Sequence, residues 1–289
     1  MVSYMNNYHT HTFRCTHAFG TEEDMVKKAI EEGYDILGFS EHVPLPHLRW
    51  HLIKAIPFGL RGFWSTLSWV KTFLFNGPGM RMPYKEKKDH INAVNLLKEK
   101  YKKQIQIRMG FECEYIKEYL PYYQKLLESK EVDYLILGHH YHQFLVGRRY
   151  YGRPNLAIKD IKNYVREAKK GLESGLFSYF AHPDLFMNSY HEWNEEVEGL
   201  VKELCECAKD NHIPLEINAG GLRKEQVMIN GVSCYTYPNY FFWKVASEVG
   251  CKAIIGMDAH ETKHLNKEDY QQLVEFAKAL NIELITTLK

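Results

Sequence analysis

Short apolar runs that end on a histidine or an acidic residue recur along this chain. Residues 34–40 run into Glu41 and His42, residues 132–138 into a pair of histidines, and residues 252–257 into Asp258. Apolar runs of this length are typical of strands buried in a parallel sheet, and the carboxyl ends of parallel strands meet at one rim. The pattern therefore predicts a fold that gathers residues from distant parts of the chain at one end of a sheet.

Segments with helical periodicity alternate with the apolar runs almost throughout. The predicted helices span residues 21–32, 85–103, 118–129, 158–173, 192–211, 240–249 and 266–280. The predicted strands lie before His9 and at 34–40, 105–113, 132–138, 176–181, 213–218 and 252–257, with a last one at 282–286. Thr21 and Asp24 match a capping box, and Gly33 supplies a stop. Repeated strand–helix units imply a parallel sheet, and a closed α/β barrel explains ligands at nearly every strand end better than an open sheet does.

The overall composition is typical of an ordinary globular protein. The 289 residues are 45% hydrophobic and 25% charged, and an α/β barrel often uses this length as one unit, so we expect a single domain over 1–289. The formal net charge of +1 argues against a nucleic-acid partner. The six cysteines form no CxxC motif, no apolar run reaches about 18 residues, and the N-terminus lacks a signal-peptide core. We therefore expect a cytoplasmic protein without a membrane span.

The segment 43–84 interrupts the alternation between a strand and its expected helix. It holds Trp50, Trp64 and Trp69 together with several basic residues, and no Asp or Glu. Three interpretations are open: a helical hairpin packed on the barrel, a lid that favours anionic substrates, or a basic aromatic element at a membrane surface. Its start beside His42 favours a lid or cover over the site.

Histidines and acidic residues spaced two apart are the most specific chemical signal. His9 and His11 form an HTH pair, and Asp258 and His260 form a DAH pair, so each pair shares one face of an extended segment. Imidazoles and carboxylates gathered at one rim are suitable ligands for divalent transition metals. The candidate metal ligands are His9, His11, His17, His42, Glu112, His140, His182, Asp258 and His260.

The order of these motifs resembles that of a known family. HTHTFRCTHA, SEH, GFECEY, GHHYH, AHPD and MDAH look like the motifs of the polymerase and histidinol phosphatase (PHP) superfamily. HTHTFRCTHA and LEINAGGLRK look especially like its histidinol-phosphate phosphatase branch. The resemblance implies a distorted (β/α)7 barrel that holds three divalent metal ions (Zn, Mn or Fe) at the carboxyl-terminal rim of its strands.

The resemblance also implies how the ligands divide among the ions. One ion would take His9, His11, Glu112 and Asp258; a second would share Glu112 and take His140 and His182; a third would take His17, His42 and His260. The choice of His140 rests on matching DYLILGHH to the family's strand-plus-histidine motif. His139 and His142 compete for that position, and side-chain alternation puts His140 and His142 on one face and His139 on the other unless the strand has already ended.

The activity implied is hydrolysis of a small phosphomonoester, L-histidinol phosphate, to L-histidinol and phosphate in histidine biosynthesis. Asp258, Glu112, His42 and His260 are the candidate catalytic residues, and Arg223, Glu114, Asp184 and Glu216 the candidate substrate contacts. Arg223 would bind phosphate, and one of the three carboxylates would bind the ammonium group. The alternatives are a PHP-type phosphoesterase acting on a nucleotide, nucleic acid or phosphotyrosine, and a non-enzymatic domain that metals only stabilise.

Overall fold

The computed structural model describes residues 4–48, 81–142, 149–152 and 155–288. Most of the predicted lid or cover, including its three tryptophans, lies outside the described residues. The described ends of that segment are anchored, because Val43, Leu48 and Met82 are buried in the main hydrophobic core.

The described strands are β1 (Asn6–Asn7), β2 (Ile36–His42), β3 (Gln106–Cys113), β4 (Tyr134–Gly138), β5 (Tyr141–His142), β6 (Arg149–Tyr150), β7 (Tyr179–Ala181), β8 (Leu215–Asn218), β9 (Val227–Ile229), β10 (Val232–Cys234), β11 (Lys252–Gly256) and β12 (Glu283–Leu284). Eight of them form one sheet in the order β1-β2-β3-β4-β7-β8-β11-β12. All of its pairings are parallel. The strands β5 and β6 form a separate antiparallel hairpin, as do β9 and β10.

The sheet curls until β11 meets the extension of β1. Thr10 pairs with Ala259 in a parallel bridge. The amide of His11 donates to the carbonyl of Ala259 at 2.8 Å, and the amide of Ala259 donates to the carbonyl of His9 at 3.2 Å. Seven strands therefore surround the interior, with β12 beside β11. The predicted distorted α/β barrel is confirmed.

The main helices are α1 (Glu22–Glu32), α2 (Lys87–Tyr101), α3 (Leu120–Glu128), α4 (Ile158–Leu172), α5 (Glu195–Asp210), α6 (Tyr240–Val249) and α7 (Lys267–Ala279). The predicted capping box is confirmed, with Thr21 and Asp24 bonded reciprocally at the start of α1. The helix predicted from residue 192 begins three residues later, because the Asn194 side chain accepts from the amide of Val197 and caps the helix there. Within the described ranges, no helix is both long enough and apolar enough to cross a membrane.

Two glycines near the strand ends make room for carboxylates inside the barrel. A Cβ atom on Gly138 would lie 2.2 Å from Oε1 of Glu112, and one on Gly256 would lie 1.7 Å from Oε1 of Glu216. Below them, Tyr134 fills the interior and its hydroxyl donates to the carbonyl of Tyr8 at 2.6 Å. The carboxylates thus lie above an apolar floor, in a layer with very little access to water.

A buried ion-pair network connects α1, α2 and the loop that carries His17. Glu22 is 5% exposed, and its Oε1 accepts from Nε of Arg14 and lies 2.8 Å from Nδ1 of His90. Burial alone would raise the pKa of Glu22, but the bonds to His90 and Arg14 lower it to about 2. The Glu22 carboxylate is therefore ionised in the folded protein at neutral and mildly acidic pH.

This lowered pKa predicts an acid-dependent contribution to stability. The contribution of ionised Glu22 is fully present above its unfolded pKa of 4.5 and is lost as the pH falls toward about 2. We expect Glu22→Gln to lower the free energy of unfolding of the metal-free protein near pH 6. The difference from the wild type should shrink steadily below pH 4.5. Urea denaturation across that range measures it, and a difference independent of pH would contradict the assignment.

Candidate metal centre

Glu112, the last residue but one of β3, lies at the centre of the predicted ligands. Its carboxylate is 1% exposed, with Nδ1 of His42 at 2.9 Å from Oε2. Nε2 of His182 lies 3.0 Å and Nε2 of His140 lies 3.3 Å from Oε1. These histidines come from β2 and from the exits of β7 and β4. The strand ends therefore gather residues that lie up to 140 positions apart (His42 and His182) around one carboxylate.

The HTH pair lies between Glu112 and Asp258. Nε2 of His9 is 3.6 Å from Oε2 of Glu112 and 3.4 Å from Oδ1 of Asp258. Nε2 of His11 is 3.5 Å from each of these two atoms. Both Nε2 atoms and Oε2 of Glu112 are buried without a hydrogen-bond partner among the described residues, since the nearby Nδ1 of His42 is not aligned for a hydrogen bond to Oε2. Buried polar atoms normally have partners, and a divalent ion among these nitrogen and oxygen atoms would satisfy all three.

The imidazoles of His17 and His260 form a second close pair. Nε2 of His17 lies 2.9 Å from Nε2 of His260. Nδ1 of His17 lies 3.0 Å from the backbone carbonyl of Cys15. Nδ1 of His260 lies 3.0 Å from the backbone carbonyl of Asp258. Carbonyls can only accept, so each Nδ1 carries a proton and, in the neutral rings, the Nε2 lone pairs face each other. A cation placed beside both nitrogens would relieve that repulsion.

His42 and Cys15 lie between the pair His17 and His260 and the residues around Glu112. The His42 ring stacks on His17 with a centroid distance of 5.4 Å, while its Nδ1 contacts Glu112. Its assignment to the third ion therefore stays a prediction. The sulfur of Cys15 lies within 4.8 Å of ligand atoms of His11 and His260. Cys15 lies within the HTHTFRCTHA motif, but the sequence predicted no role for it at the site. Its spacing of two residues from the predicted ligand His17 was a sequence signal that could have placed Cys15 at the site.

His139 and His140 point to opposite sides of the exit from β4. His140 reaches Glu112, whereas the buried His139 ring packs between Tyr151 and Tyr164, with centroid distances of 5.1 and 4.9 Å. Burial lowers the pKa of His139 to about 4, which keeps that ring neutral. The structure thus brings His140, and not His139, into the cluster.

Two of the predicted ligands have left-handed backbone conformations. The φ angles are 32° at His182 and 46° at Asp258, in a region that residues other than glycine adopt at an energetic cost. The guanidinium of Arg223 donates to the carbonyl of Asp258 at 3.1 Å and to that of Met257 at 2.6 Å. Arg223 therefore braces the exit of β11 that carries Asp258, and its predicted contact with phosphate stays a prediction.

The three carboxylates predicted to bind the substrate's ammonium group have protein partners. Glu114 bonds to His140, and Glu216 bonds to His9. Asp184 accepts from the Asn239 amide at 2.7 Å and from the Trp243 indole at 3.1 Å, and burial raises its pKa to about 7. All three are at most 1% exposed, so their geometry gives no support to the predicted substrate contacts.

The electrostatics of the cluster favour cations. Burial alone would lower the pKa of His9, but Glu216, Asp258 and Glu112 raise it to about 10. Burial alone would raise the pKa values of Glu112 and Asp258, yet the surrounding imidazoles hold both well below the usual range. The carboxylates are therefore ionised, and the pocket stabilises positive charge on whatever occupies it.

Comparisons with known proteins agree with this geometry. The family model described as "PHP domain" matches residues 7–220, a range that contains seven of the nine predicted ligands. The chain belongs to the PHP domain family. Asp258 and His260 lie beyond the matched range, and the structure places both against His9 and His11.

Two curated relatives align over most of this PHP chain. A protein from Deinococcus radiodurans named "Probable histidinol-phosphatase" is 22% identical over 261 residues, covering 88% of this chain and 85% of its own length. A protein from Bacillus subtilis named "Histidinol-phosphatase" is 23% identical over 278 residues, covering 88% of this chain and 92% of its own length.

A solved structure shares the fold at low identity. It is histidinol phosphate phosphatase from Lactococcus lactis, in complex with zinc, L-histidinol and phosphate. The TM-score is 0.69 at 15% identity, and the alignment covers 99% of this chain and 97% of the other. This similarity supports the barrel described above.

Proposed function

We propose that this protein is a metal-dependent phosphomonoesterase that hydrolyses L-histidinol phosphate to L-histidinol and phosphate in histidine biosynthesis. The observation that carries the proposal is the rim site itself, in which Glu112 lies within 3.6 Å of five imidazoles and Asp258 faces three. The names of the two relatives and the ligands of the Lactococcus structure support the substrate.

Three divalent ions, Zn, Mn or Fe, are proposed as the cofactors. The proposed ligand sets are His9, His11, Glu112 and Asp258 for the first ion, Glu112, His140 and His182 for the second, and His17, His42 and His260 for the third. When bound, such ions polarise phosphoryl oxygens and lower the pKa of a water from about 15.7 toward 7. The donor set of imidazoles and carboxylates fits these metals, and the unpartnered nitrogens of His9 and His11 support it.

Asp258 is the proposed proton-transfer group. Its side chain is 16% exposed, against 1% for Glu112, so it is the more accessible of the two carboxylates. It would accept a proton from the attacking water and later donate one to the leaving alkoxide. Burial holds the pKa of His42 well below its usual range and lowers that of His260 to about 3. Those two imidazoles are therefore neutral, and each can offer a lone pair for ligation.

The experiment that tests the substrate compares two phosphomonoesters on one enzyme preparation. We expect purified protein with Mn²⁺ or Zn²⁺ to release phosphate from L-histidinol phosphate with a much higher kcat/KM than from p-nitrophenyl phosphate. Treatment with a chelator should abolish both reactions, which controls for a contaminating metal-independent phosphatase. Equal kcat/KM values for the two esters would refute the substrate and leave only a general phosphoesterase.

A further inference from the structure

Behind the ligand cluster lies a second layer of buried acids. We call Glu41, Glu114 and Glu216 the outer carboxylates, because each contacts the Nδ1 side of a histidine whose Nε2 faces Glu112. The distances to Nδ1 are 3.7 Å for Glu41 and His11, 2.8 Å for Glu114 and His140, and 2.8 Å for Glu216 and His9. None of the three is more than 1% exposed.

Glu216, on β8, differs from the other two because it joins two separate strand ends. Its Oε1 lies 2.8 Å from Nδ1 of His9, beyond β1. Its Oε2 accepts from the backbone amide of His182, after β7, at 3.0 Å, and from Nδ2 of Asn218 at 2.7 Å. His9, His182 and Asp258 offer ligand atoms that lie within 4.8 Å of one another. Glu216 therefore contacts His9, a proposed ligand of the first ion, and the backbone of His182, a proposed ligand of the second.

The partners of Glu216 require a group that only accepts hydrogen bonds. The amide of His182 and Nδ2 of Asn218 are donors. If Nε2 of His9 offers its lone pair toward Glu112 and Asp258, the ring proton lies on Nδ1, which is then a third donor. An ionised carboxylate accepts all three, whereas a glutamine amide has one accepting oxygen and one donating nitrogen. With glutamine at position 216, at least one of these three donors would face the N–H group of the side-chain amide.

The neighbouring strand is shaped around this carboxylate. Gly256 on β11 is the residue whose added Cβ atom would lie 1.7 Å from Oε1 of Glu216. The amide of Asn218 is itself fixed, because its Oδ1 accepts from the backbone of Gly220 at 2.7 Å. Glu216 is thus held in one position by its own strand and by β11.

We propose that Glu216 is a positioning residue that fixes the His9 ring with its proton on Nδ1 and holds the backbone of His182 in its left-handed conformation. His9 and His182 would then present their ring nitrogens to metal in a fixed geometry. The inference rests on the proposed function only in requiring that the site binds divalent metal.

The test compares two buried glutamates that each contact a histidine Nδ1 at 2.8 Å. We expect Glu216→Gln to weaken Zn²⁺ binding by about 10- to 100-fold, measured by competition with a chromophoric chelator. Glu22→Gln is the matched control. Both described partners of Glu22 share its Oε1, so a glutamine carbonyl can keep both bonds. That control should retain wild-type Zn²⁺ affinity within about threefold, since its histidine lies outside the cluster.

The His9 tautomer gives a readout that a merely structural role would not change. In the zinc-loaded wild type labelled with ¹⁵N-histidine, NMR should show His9 with a proton on Nδ1 and none on Nε2. Unaltered Zn²⁺ affinity in Glu216→Gln would overturn the proposal. If that variant does not fold, a wild-type His9 ring without a proton on Nδ1 overturns it instead. Neither readout uses phosphate release, so failure of the proposed activity would be seen separately.

Discussion

Glu112→Gln should remove the proposed shared metal site and lower kcat/KM for phosphate release by about 10³-fold or more, as expected when metal stabilisation worth several kcal/mol is lost. The isosteric amide loses the negative charge that five imidazoles surround, and its NH₂ group would face ring nitrogens. Metal content after dialysis, measured by elemental analysis, and initial rates with L-histidinol phosphate report the two effects independently.

Glu128→Gln on the exposed end of α3 is the matched control, because that carboxylate bonds only to Gln124 among the described residues. It should leave metal content and rate unchanged. A Glu112→Gln protein that keeps both its full metal content and its rate would refute the proposal that two ions share Glu112.

The fold and the position of the site were predictable because both depend on local patterns. Short apolar strands that alternate with amphipathic helices allow few topologies other than a parallel α/β sheet. Once strand ends are known, the histidines and acidic residues at those ends must meet at one rim, whatever their separation in the chain. His42, Glu112 and His182 come together in this way.

The roles of the carboxylates behind the ligands were not predictable, because they depend on which residues face each other across strands. Glu114 and Glu216 look, in sequence, like acids available to a cationic substrate. Their burial, and contacts such as that between residues 9 and 216, arise only when the barrel closes. The glycines at 138 and 256 carry the same information, but a glycine before a histidine or a methionine does not reveal which side chain it makes room for.

The adjacent histidines after β4 should give opposite results when each is replaced by alanine. We expect His140→Ala to lose metal and to lower kcat/KM by about 10²-fold or more, because it removes an imidazole that contacts both Glu112 and Glu114. His139→Ala should keep metal and retain activity within about fivefold, because the ring that it removes contacts Tyr151 and Tyr164 rather than the cluster.

His139→Ala should instead affect stability. Loss of a buried ring leaves a cavity, which lowers the free energy of unfolding by about 1–3 kcal/mol. The decrease in free energy of unfolding should lie near the lower end of this range. Both ring nitrogens of His139 are buried without a hydrogen-bond partner among the described residues, so removing them relieves a desolvation cost. Urea denaturation of the metal-free proteins measures this difference. Loss of metal in His139→Ala with retention in His140→Ala would transfer the ligand assignment to His139.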